Sequence, residues 1–274
     1  MYQIMLTLAL AMSLAGCSDV KEKPVKKDGD SETAMLTTHK PVHEEADLKI
    51  LSTYIKPDAK ILDLGAGTGI GPRQLCKNGY RNVVSVERSQ EEIKAAEEAK
   101  NIETCKTEYI EGNINKGLSL PDGQFDMVTA FSAYQCFSTA NCIKEVARLL
   151  KPQGYYFITR GLLKNSDPVR IKTTQIIEEV TGQKAKDPTF DPEKQLEEQG
   201  FKIVLHTTIP IVEYFTKDEY MNYIKAYPSW ELAKNSPKLK EVQSKIEQYL
   251  STLTNADGVI KIEINAPVIL AQKQ

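Results

Sequence analysis

The stretch that decides the fold lies at residues 61–69, which read Ile-Leu-Asp-Leu-Gly-Ala-Gly-Thr-Gly. Its short apolar run is typical of a buried parallel strand. The glycines that follow allow a tight turn and bring backbone N–H groups close to a ligand, where a β-carbon would collide. Residues 71–76 then read as the opening of a helix, with Pro72 near its first turn. Strand, glycine loop and helix together predict a nucleotide-sized binding edge.

The spacing of the glycines narrows the kind of nucleotide. A dinucleotide fingerprint needs a third glycine at the position that Ile70 occupies. The phosphate-binding loop needs Gly-Lys followed by Ser or Thr, and no such triplet follows here. The pattern that fits is Asp-x-Gly-x-Gly-x-Gly from Asp63 to Gly69. An ordinary turn is the alternative for such a loop taken alone.

Three more stretches follow in order along the chain. Residues 82–88 form a predicted strand ending in Glu87, whose carboxylate could accept hydrogen bonds from both hydroxyls of a ribose. A solvated acid at a strand end is the alternative. Residues 107–114 contain Gly112-Asn113, and an ordinary turn asparagine is the alternative there. Residues 120–131 carry a Pro-Asp-Gly turn that leads into a strand opening with Phe-Asp.

These four stretches resemble the motifs of the class I S-adenosylmethionine-dependent methyltransferases. The resemblance implies an α/β fold, with a Rossmann-like, doubly wound, mostly parallel sheet and a helical lid between the last strands. It implies S-adenosylmethionine as cofactor and places Asn113, where the family usually has aspartate, next to the adenine amino group. The implied cofactor-binding residues are Asp63, Gly65, Ala66, Gly67, Gly69, Glu87, Arg88, Asn113, Ile114 and Phe131.

Residues 125–137 and 223–230 resemble the methyltransferase type 11 or trans-aconitate-methyltransferase-like branch, which methylates small acids and related molecules. There the fourth strand usually runs into Ala-Phe-His-Trp-Phe, whereas residues 133–137 here read Ala-Tyr-Gln-Cys-Phe. The acceptor chemistry of the branch therefore does not carry over, and catalytic residues stay unassigned. The candidates for lining an acceptor pocket are Tyr134, Gln135, Tyr227 and Trp230, with core packing as the alternative.

Predicted strands and helices alternate up to about residue 160, as a doubly wound sheet requires. Capping boxes are predicted at Ser89/Glu92 and Thr216/Glu219. Further on, the patterns predict helices at 171–180, 191–200, 220–226 and 237–250 and a strand at 201–212. Residues 259–265 and 268–271 read as one bulged strand or as two pieces.

The N-terminus reads as a separate unit. Residues 1–17 are nearly all apolar and close on Leu-Ala-Gly-Cys, which resembles the lipobox of bacterial lipoproteins, with Cys17 as the lipidated residue. No Lys or Arg precedes the apolar run, so an ordinary hydrophobic anchor, or an extension that is not translated, is the alternative. Residues 18–45 are a charged linker with little to bury, and residues 46–274 form the methyltransferase domain.

Composition excludes some partners and sites. The formal net charge of −2 gives no sign of a nucleic-acid partner, so a small-molecule acceptor is expected, with the oligomeric state open. The histidines, His39, His43 and His206, lack metal-ligand spacing, and no metal is expected. The cysteines Cys76, Cys105, Cys136 and Cys142 show no C-x-x-C pattern and are predicted to be buried free thiols.

The cellular location stays open at this point, because the lipobox indicates export whereas the cofactor and the thiols indicate the cytoplasm. Three interpretations remain. The first is a methyltransferase whose signal is misassigned or whose domain faces the cytoplasm. The second is an exported, membrane-tethered binding protein that kept the fold and lost turnover. The third, a nicotinamide-dependent enzyme, is disfavoured by Ile70.

Overall fold

The computed structural model describes residues 44–99, 105–159, 167–185, 191–225, 227 and 229–274. The predicted signal, Cys17, almost all of the predicted linker, His39 and His43 lie outside these ranges. In chain order the elements are α1 (Glu44–Tyr54), β1 (Lys60–Leu64), α2 (Ile70–Lys77), β2 (Asn82–Glu87), α3 (Gln90–Glu98), β3 (Lys106–Glu111), β4 (Phe125–Phe131), α4 (Ala140–Leu149), β5 (Leu150–Thr159), α5 (Pro168–Thr181), α6 (Pro192–Glu197), β6 (Phe201–Thr216), α7 (Lys217–Lys225), α8 (Trp230–Lys234), α9 (Leu239–Leu253) and β7 (Val259–Lys273). Short 3₁₀ turns lie at Ile114–Lys116 and Tyr134–Cys136.

The described strands form one sheet in the order β3-β2-β1-β4-β5-β7-β6. The first five of these strands are parallel, and β7 and β6 join the sheet antiparallel. The strand order reverses direction between β1 and β4, which is where open α/β sheets bind ligands. This architecture confirms the predicted α/β class, with a Rossmann-like, mostly parallel sheet.

Apolar side chains on both faces of the central strands bury them completely. On one face Leu62 and Val128 pack with the residues of α4, and both side chains are 0% exposed. On the other face Ile61 packs with Leu51 of α1 and Leu75 of α2. Burial on both sides explains why β1 reads as a continuous apolar run. This packing fixes the carboxyl ends of the strands, where the glycine loop begins.

The outer halves of β6 and β7 extend beyond the carboxyl edge of the sheet. Val268 of β7 pairs with Thr159, the last residue of β5, and also with Thr207 of β6. Past this point β6 and β7 continue to pair as far as Thr216 and Val259, a reach of about 30 Å at strand spacing. The strand predicted at 201–212 therefore runs four residues longer, because β7 supplies partners throughout. β7 is one strand, and the register shift lies in β6, between Ile203 and Leu205.

Helices α7, α8 and α9 lie in the chain between those two strands, and α5 packs against α8 and α9. We call the set of α5, α7, α8, α9 and the outer halves of β6 and β7 the cap. Its own hydrophobic core includes Phe215, Tyr220 and Ile246. A reciprocal capping box opens α7, with Glu219 N donating to Thr216 Oγ1 and Thr216 N donating to Glu219 Oε2. The predicted helical lid between the last strands is confirmed.

The cysteines differ from the prediction. Cys76 at the end of α2 and Cys105 just before β3 form a disulfide bond with a Cα–Cα distance of 5.5 Å. The prediction of free thiols is wrong for this pair, because the fold brings together two residues whose separation of 29 carries no sequence signature. It is also wrong for Cys136, which is disulfide-bonded as well. Cys142 is a buried free thiol, as predicted. No helix among the described residues is long and apolar enough to span a membrane.

Candidate cofactor site and the cap

The glycine loop leaves β1 in a conformation that side chains rarely adopt. Gly65, Gly67 and Gly69 all have positive φ, at 71°, 53° and 78°. A β-carbon on Gly65 would lie 2.9 Å from Cβ of Ala133, so the loop can approach the turn after β4 only because that carbon is missing. Gly65 N donates to Val86 O at 2.9 Å, which fixes the loop against the end of β2.

Ala66, Arg88, Asp63 and Phe131 lie around this loop. Ala66 is 5% exposed and its N donates to Val86 O at 3.3 Å. The buried Asp63 accepts a 2.7 Å hydrogen bond from Thr129 Oγ1, which joins β1 to β4 directly below the loop. The Phe131 ring packs against the start of α2 and lies 6.0 Å from the ring of Phe157. Asp63 therefore supports the loop through the sheet.

Glu87 holds the glycine loop through its carboxylate. Its Oε2 accepts from Gly67 N at 3.0 Å, and its Oε1 accepts from Arg88 N at 2.7 Å and from Ser89 N at 3.0 Å. A carboxylate offers about four acceptor positions, so these backbone groups occupy most of them. The side chain is 7% exposed. In this arrangement Glu87 can accept one further hydrogen bond from a ligand, and a second only by exchanging a backbone donor.

Glu92 borders the same loop from α3. Its Oε2 lies 3.9 Å from the position that a β-carbon on Gly67 would take. The capping box predicted at the start of α3 differs from the expected form, because Glu92 N donates to Ser89 Oγ whereas Ser89 N donates to Glu87. The capping pattern gave Glu92 a purely local role, as the acceptor of the Ser89 N–H. Ser89 lies only two residues after Glu87, and this short spacing was the signal that Glu87 could accept that N–H instead.

The charges around the loop decide between kinds of nucleotide. Asp63, Glu87 and Glu92 place carboxylates beside it, and a pyrophosphate bound there would be repelled by them. S-adenosylmethionine has no phosphate and carries a positive sulfonium, which these carboxylates would attract. The glycine cradle and the carboxylates therefore fit S-adenosylmethionine, and they disfavour a dinucleotide as Ile70 does.

The turn after β3 lies beside the end of β2. Gly112 N donates to Glu87 O at 2.9 Å, which brings Asn113 to the carboxyl edge of the sheet. Asn113 Oδ1 accepts from Asn115 N at 3.0 Å, and an oxygen with two lone pairs keeps one for another donor. Ile114 is 3% exposed and packs into the main core, so its side chain anchors this turn.

Asn115 also links this turn to the one after β4. Its Oδ1 accepts from the thiol of Cys142 at 2.8 Å, and its Nδ2 donates to Cys136 O at 3.4 Å. Thr139 Oγ1 donates to the same sulfur at 3.0 Å. Burial raises the pKa of the Cys142 thiol, so it stays protonated and keeps its hydrogen to donate. The turns after β3 and β4 are thereby held in a fixed relation.

The residues predicted to line an acceptor pocket fall into different packing clusters. Tyr134 is 0% exposed in the main core, where its hydroxyl donates to Gln195 Oε1 at 3.3 Å. Tyr227 and Trp230 belong to the core of the cap and are 5% and 7% exposed. The side chain of Gln135 lies outside the described part of the molecule. The described contacts thus show Tyr134 packed in the core and bring only Tyr227 and Trp230 together.

A polar group inside the cap was not predicted. Asp167 is 7% exposed and caps α5 by accepting from Val169 N at 2.8 Å and Arg170 N at 3.1 Å. The Tyr220 hydroxyl donates to its other oxygen at 2.5 Å. The signal was Asp167-Pro168, because an aspartate followed by proline is typical of a helix start.

Two further cap residues stack beside this group. The Arg170 guanidinium lies 4.4 Å from the centre of the Tyr227 ring, and the Tyr227 hydroxyl is hydrogen-bonded to that of Tyr223. Burial raises the pKa of Tyr227 to about 12 and moves the pKa of Tyr220 far above its usual value. Both hydroxyls are therefore protonated at neutral pH and act as donors, not as bases. The described residues contain no group of side chains able to hold a metal ion.

Comparison with known proteins agrees with this geometry. Residues 62–158 match the family model described as a methyltransferase domain. The chain is 28% identical over 133 residues to a ribosomal protein L11 methyltransferase of Lachnospira eligens. It is 29% identical over 115 residues to a sterol 24-C-methyltransferase of Aspergillus fumigatus. The matched segments cover 44% and 41% of this chain, and 39% and 30% of those relatives.

Solved structures share the fold over more of the chain. The YcgJ protein of Bacillus subtilis superposes with a TM-score of 0.53 and 19% identity, covering 85% of this chain and 99% of that protein. A protein of Bacillus halodurans gives a TM-score of 0.52 and 18% identity, covering 84% and 99%. Identities this low concern the fold alone.

Fold and site together define the class as the Rossmann-like methyltransferase fold. Within it, residues 62–158 match the model of a methyltransferase domain. This match supports the predicted family over those residues. The trans-aconitate-like branch and the roles of the individual site residues stay predictions.

Proposed function

We propose that this chain transfers a methyl group from S-adenosylmethionine to a small-molecule acceptor bound beneath the cap. The observation that carries the proposal is the glycine loop with positive φ at Gly65, Gly67 and Gly69, held by Glu87 through Gly67 N. When bound, the cofactor supplies an already activated methyl group. The residues of the chain then have to bind, orient and enclose the reactants, which requires little further chemistry.

The side chains of the cap favour a methyl acceptor whose reacting atom carries no proton. Tyr220 and Tyr227 keep their protons at neutral pH, because burial raises the pKa of each. A carboxylate acceptor needs no general base, whereas a hydroxyl or amine acceptor generally does. The Arg170 guanidinium adds a positive charge at the Tyr227 ring. We therefore propose a small acid as the acceptor.

The cofactor half is tested by calorimetry with S-adenosylhomocysteine on the full chain. Glu87→Ala should weaken binding by roughly 1.5–3 kcal/mol, the scale of hydrogen bonds to charged groups. Glu97→Ala, which removes an exposed carboxylate on α3, is the matched control and should bind as the wild type does. Unchanged affinity in folded Glu87→Ala, or no binding by the wild type, overturns the assignment.

The acceptor half is tested by kinetics on a panel of small carboxylic acids. Trp230→Ala should open the core of the cap and raise the KM for the acceptor much more than the Kd for S-adenosylhomocysteine. Equal damage to both constants contradicts an acceptor role for the cap. Binding of the cofactor without turnover on any acceptor contradicts the enzyme and favours the tethered binding protein.

We further propose that the domain matures in an oxidising compartment and is anchored through Cys17. The Cys76–Cys105 disulfide supports this, because such bonds persist outside the reducing cytoplasm. Mass spectrometry of the native protein should find this disulfide intact and an acyl chain on Cys17. A reduced pair, with Met1 still attached and no acyl chain, contradicts both statements and leaves the cytoplasmic alternative.

A further inference from the structure

The hydrogen-bonding capacity of Glu87 is nearly exhausted by the protein itself. Its oxygens accept from the backbone N–H groups of Gly67, Arg88 and Ser89. The ribose of an adenosyl cofactor presents two hydroxyls, and each needs an acceptor when it leaves water. With about one acceptor position left, Glu87 satisfies one of these hydroxyls while it keeps the loop in place. The other hydroxyl requires a second acceptor at the same edge.

Glu92 is placed to be that acceptor. Its Oε2 lies 3.9 Å from where a β-carbon on Gly67 would be, so it faces the open side of the residue whose N–H binds Glu87. The Ser89 cap fixes the first turn of α3 and thereby the backbone of Glu92. The N–H of Ser89, which a capping box would offer to Glu92, donates to Glu87. The two carboxylates therefore reach the loop from neighbouring elements, β2 and α3.

We propose that Glu92 is a second carboxylate of the cofactor site and accepts one ribose hydroxyl while Glu87 accepts the other. This inference rests on the proposed function. It also makes Glu92 a specificity-determining residue, since its charge beside Gly67 disfavours ligands with phosphate groups and favours the positive sulfonium. With two carboxylates at the site, Glu87 keeps its hydrogen bonds to the backbone and holds the loop, while Glu92 accepts the ribose hydroxyl that Glu87 does not.

The test is a cycle of protein variants and ligand variants, measured by calorimetry on the full chain. The proteins are the wild type, Glu92→Ala and Glu91→Ala, which removes an exposed carboxylate from the same helix turn. The ligands are S-adenosylhomocysteine and its 2′-deoxy and 3′-deoxy analogues. Glu92→Ala should weaken S-adenosylhomocysteine about tenfold or more, whereas Glu91→Ala should change it less than about twofold.

The deoxy analogues identify the contact. Removing the hydroxyl that Glu92 binds should weaken the wild-type complex about tenfold and change the Glu92→Ala complex little. The other deoxy analogue should lose the same factor in both proteins. Glu92→Gln, which keeps an acceptor oxygen without the charge, should lie between the wild type and Glu92→Ala. It replaces Glu92→Ala in the cycle if that variant fails to fold.

The outcomes separate this inference from the proposed function. If the wild type does not bind S-adenosylhomocysteine, the proposed function and this inference both fail. If the wild type binds and Glu92→Ala matches Glu91→Ala, the function stands and the role of Glu92 is wrong. The same holds if both deoxy analogues lose equal factors in the wild type and in Glu92→Ala, because additivity means that Glu92 contacts neither hydroxyl.

Discussion

The glycine loop and the cap face the same edge of the sheet, yet different physical means build them. The loop consists of backbone in unusual conformations, held by the Glu87 carboxylate of β2 and bordered by carboxylates of β1 and α3. The cap consists of aromatic side chains packed around a buried Asp167, on strands that extend past the sheet. A cofactor site limited by backbone geometry tolerates few substitutions, whereas a side-chain core can change its shape with its residues. The contrast suits a constant cofactor and a variable acceptor.

A substitution in the loop or in the cap should therefore affect that region alone. Damage to the loop should remove cofactor binding and leave the cap packed. Damage to the cap should loosen it and leave cofactor affinity nearly unchanged. A substitution that moves both regions together contradicts this separation.

The largest effect is expected for Gly69→Ala. Gly69 has φ of 78°, and a β-carbon there would overlap Tyr109 Oη and come within 2.8 Å of Arg73 Nη1 and 2.9 Å of Ala96 Cβ. The loop has to move, so the affinity for S-adenosylhomocysteine should fall at least about 100-fold, or about 2.7 kcal/mol. Calorimetry measures the affinity, and hydrogen exchange of α9 amides reports on the cap.

Gly79→Ala is the matched control for this substitution. Gly79 has φ of 90°, and a β-carbon there would meet nothing within 4 Å. It should therefore cost stability by about 1–2 kcal/mol through its backbone conformation alone and leave cofactor affinity unchanged. If Gly69→Ala and Gly79→Ala weaken binding equally, the contacts beneath the loop are not what limits it.

A smaller effect, confined to the cap, is expected for Tyr220→Phe. Its hydroxyl donates to the buried Asp167 carboxylate, which loses that donor without gaining water. Global stability should fall by about 1–3 kcal/mol. Faster hydrogen exchange in α5 should accompany the loss, with S-adenosylhomocysteine affinity within about twofold of wild type. Tyr214→Phe removes a hydroxyl from a side chain that is 39% exposed to solvent, and it should cost less stability than Tyr220→Phe. Weaker cofactor binding in Tyr220→Phe would couple the two regions.

The sequence predicted the glycine loop in more detail than the cap, and the reason is again that backbone builds the loop whereas side chains build the cap. The residues around the loop lie in four short stretches of sequence. Each stretch contains one of the parallel strands β1, β2, β3 and β4, and these strands end at the same edge of the sheet. Backbone requirements leave marks in the sequence, such as glycines after an acidic strand end. Hence the sheet and the loop could be predicted before the structure was known.

The contacts that sequence reasoning missed are long-range. Tyr134 follows β4 as an acceptor residue would, and its ring packs with Tyr156 at 5.9 Å in the main core, which was the stated alternative. The disulfide joins residues 29 apart, and Tyr220 meets Asp167 across 53 residues. Such pairs depend on how helices pack, and no local spacing encodes them. Glu92 was not among the predicted site residues for the opposite reason, because the local capping pattern gave it another role.

The smallest expected effect is a pH dependence confined to Asp167. Burial raises the pKa of this carboxyl, although the Tyr220 hydroxyl and the N–H groups of Arg170 and Val169 act in the opposite direction. An unfolded aspartate has a pKa of about 3.9. As the pH falls from above the raised folded pKa towards this value, the folded state takes up the proton first, and its stability increases. The gain is complete below the unfolded pKa, and its size is set by the difference between the folded and unfolded pKa values, at about 1.4 kcal/mol for a tenfold difference in proton affinity.

Urea unfolding of the wild type and Asp167→Asn between pH 7 and pH 4 measures this gain as a difference. The Asn variant keeps a neutral side chain of the same shape, so the stability of the wild type relative to it should rise as the pH falls. Asp257→Asn, at an exposed turn residue, supplies the background pH dependence to be subtracted. If the wild type instead loses stability relative to Asp167→Asn on acidification, its donors outweigh burial. The Asp167 carboxylate would then stabilise the cap in its charged form. The glycine loop and the cap would both contain stabilising carboxylates, and the two regions would differ only in their geometry.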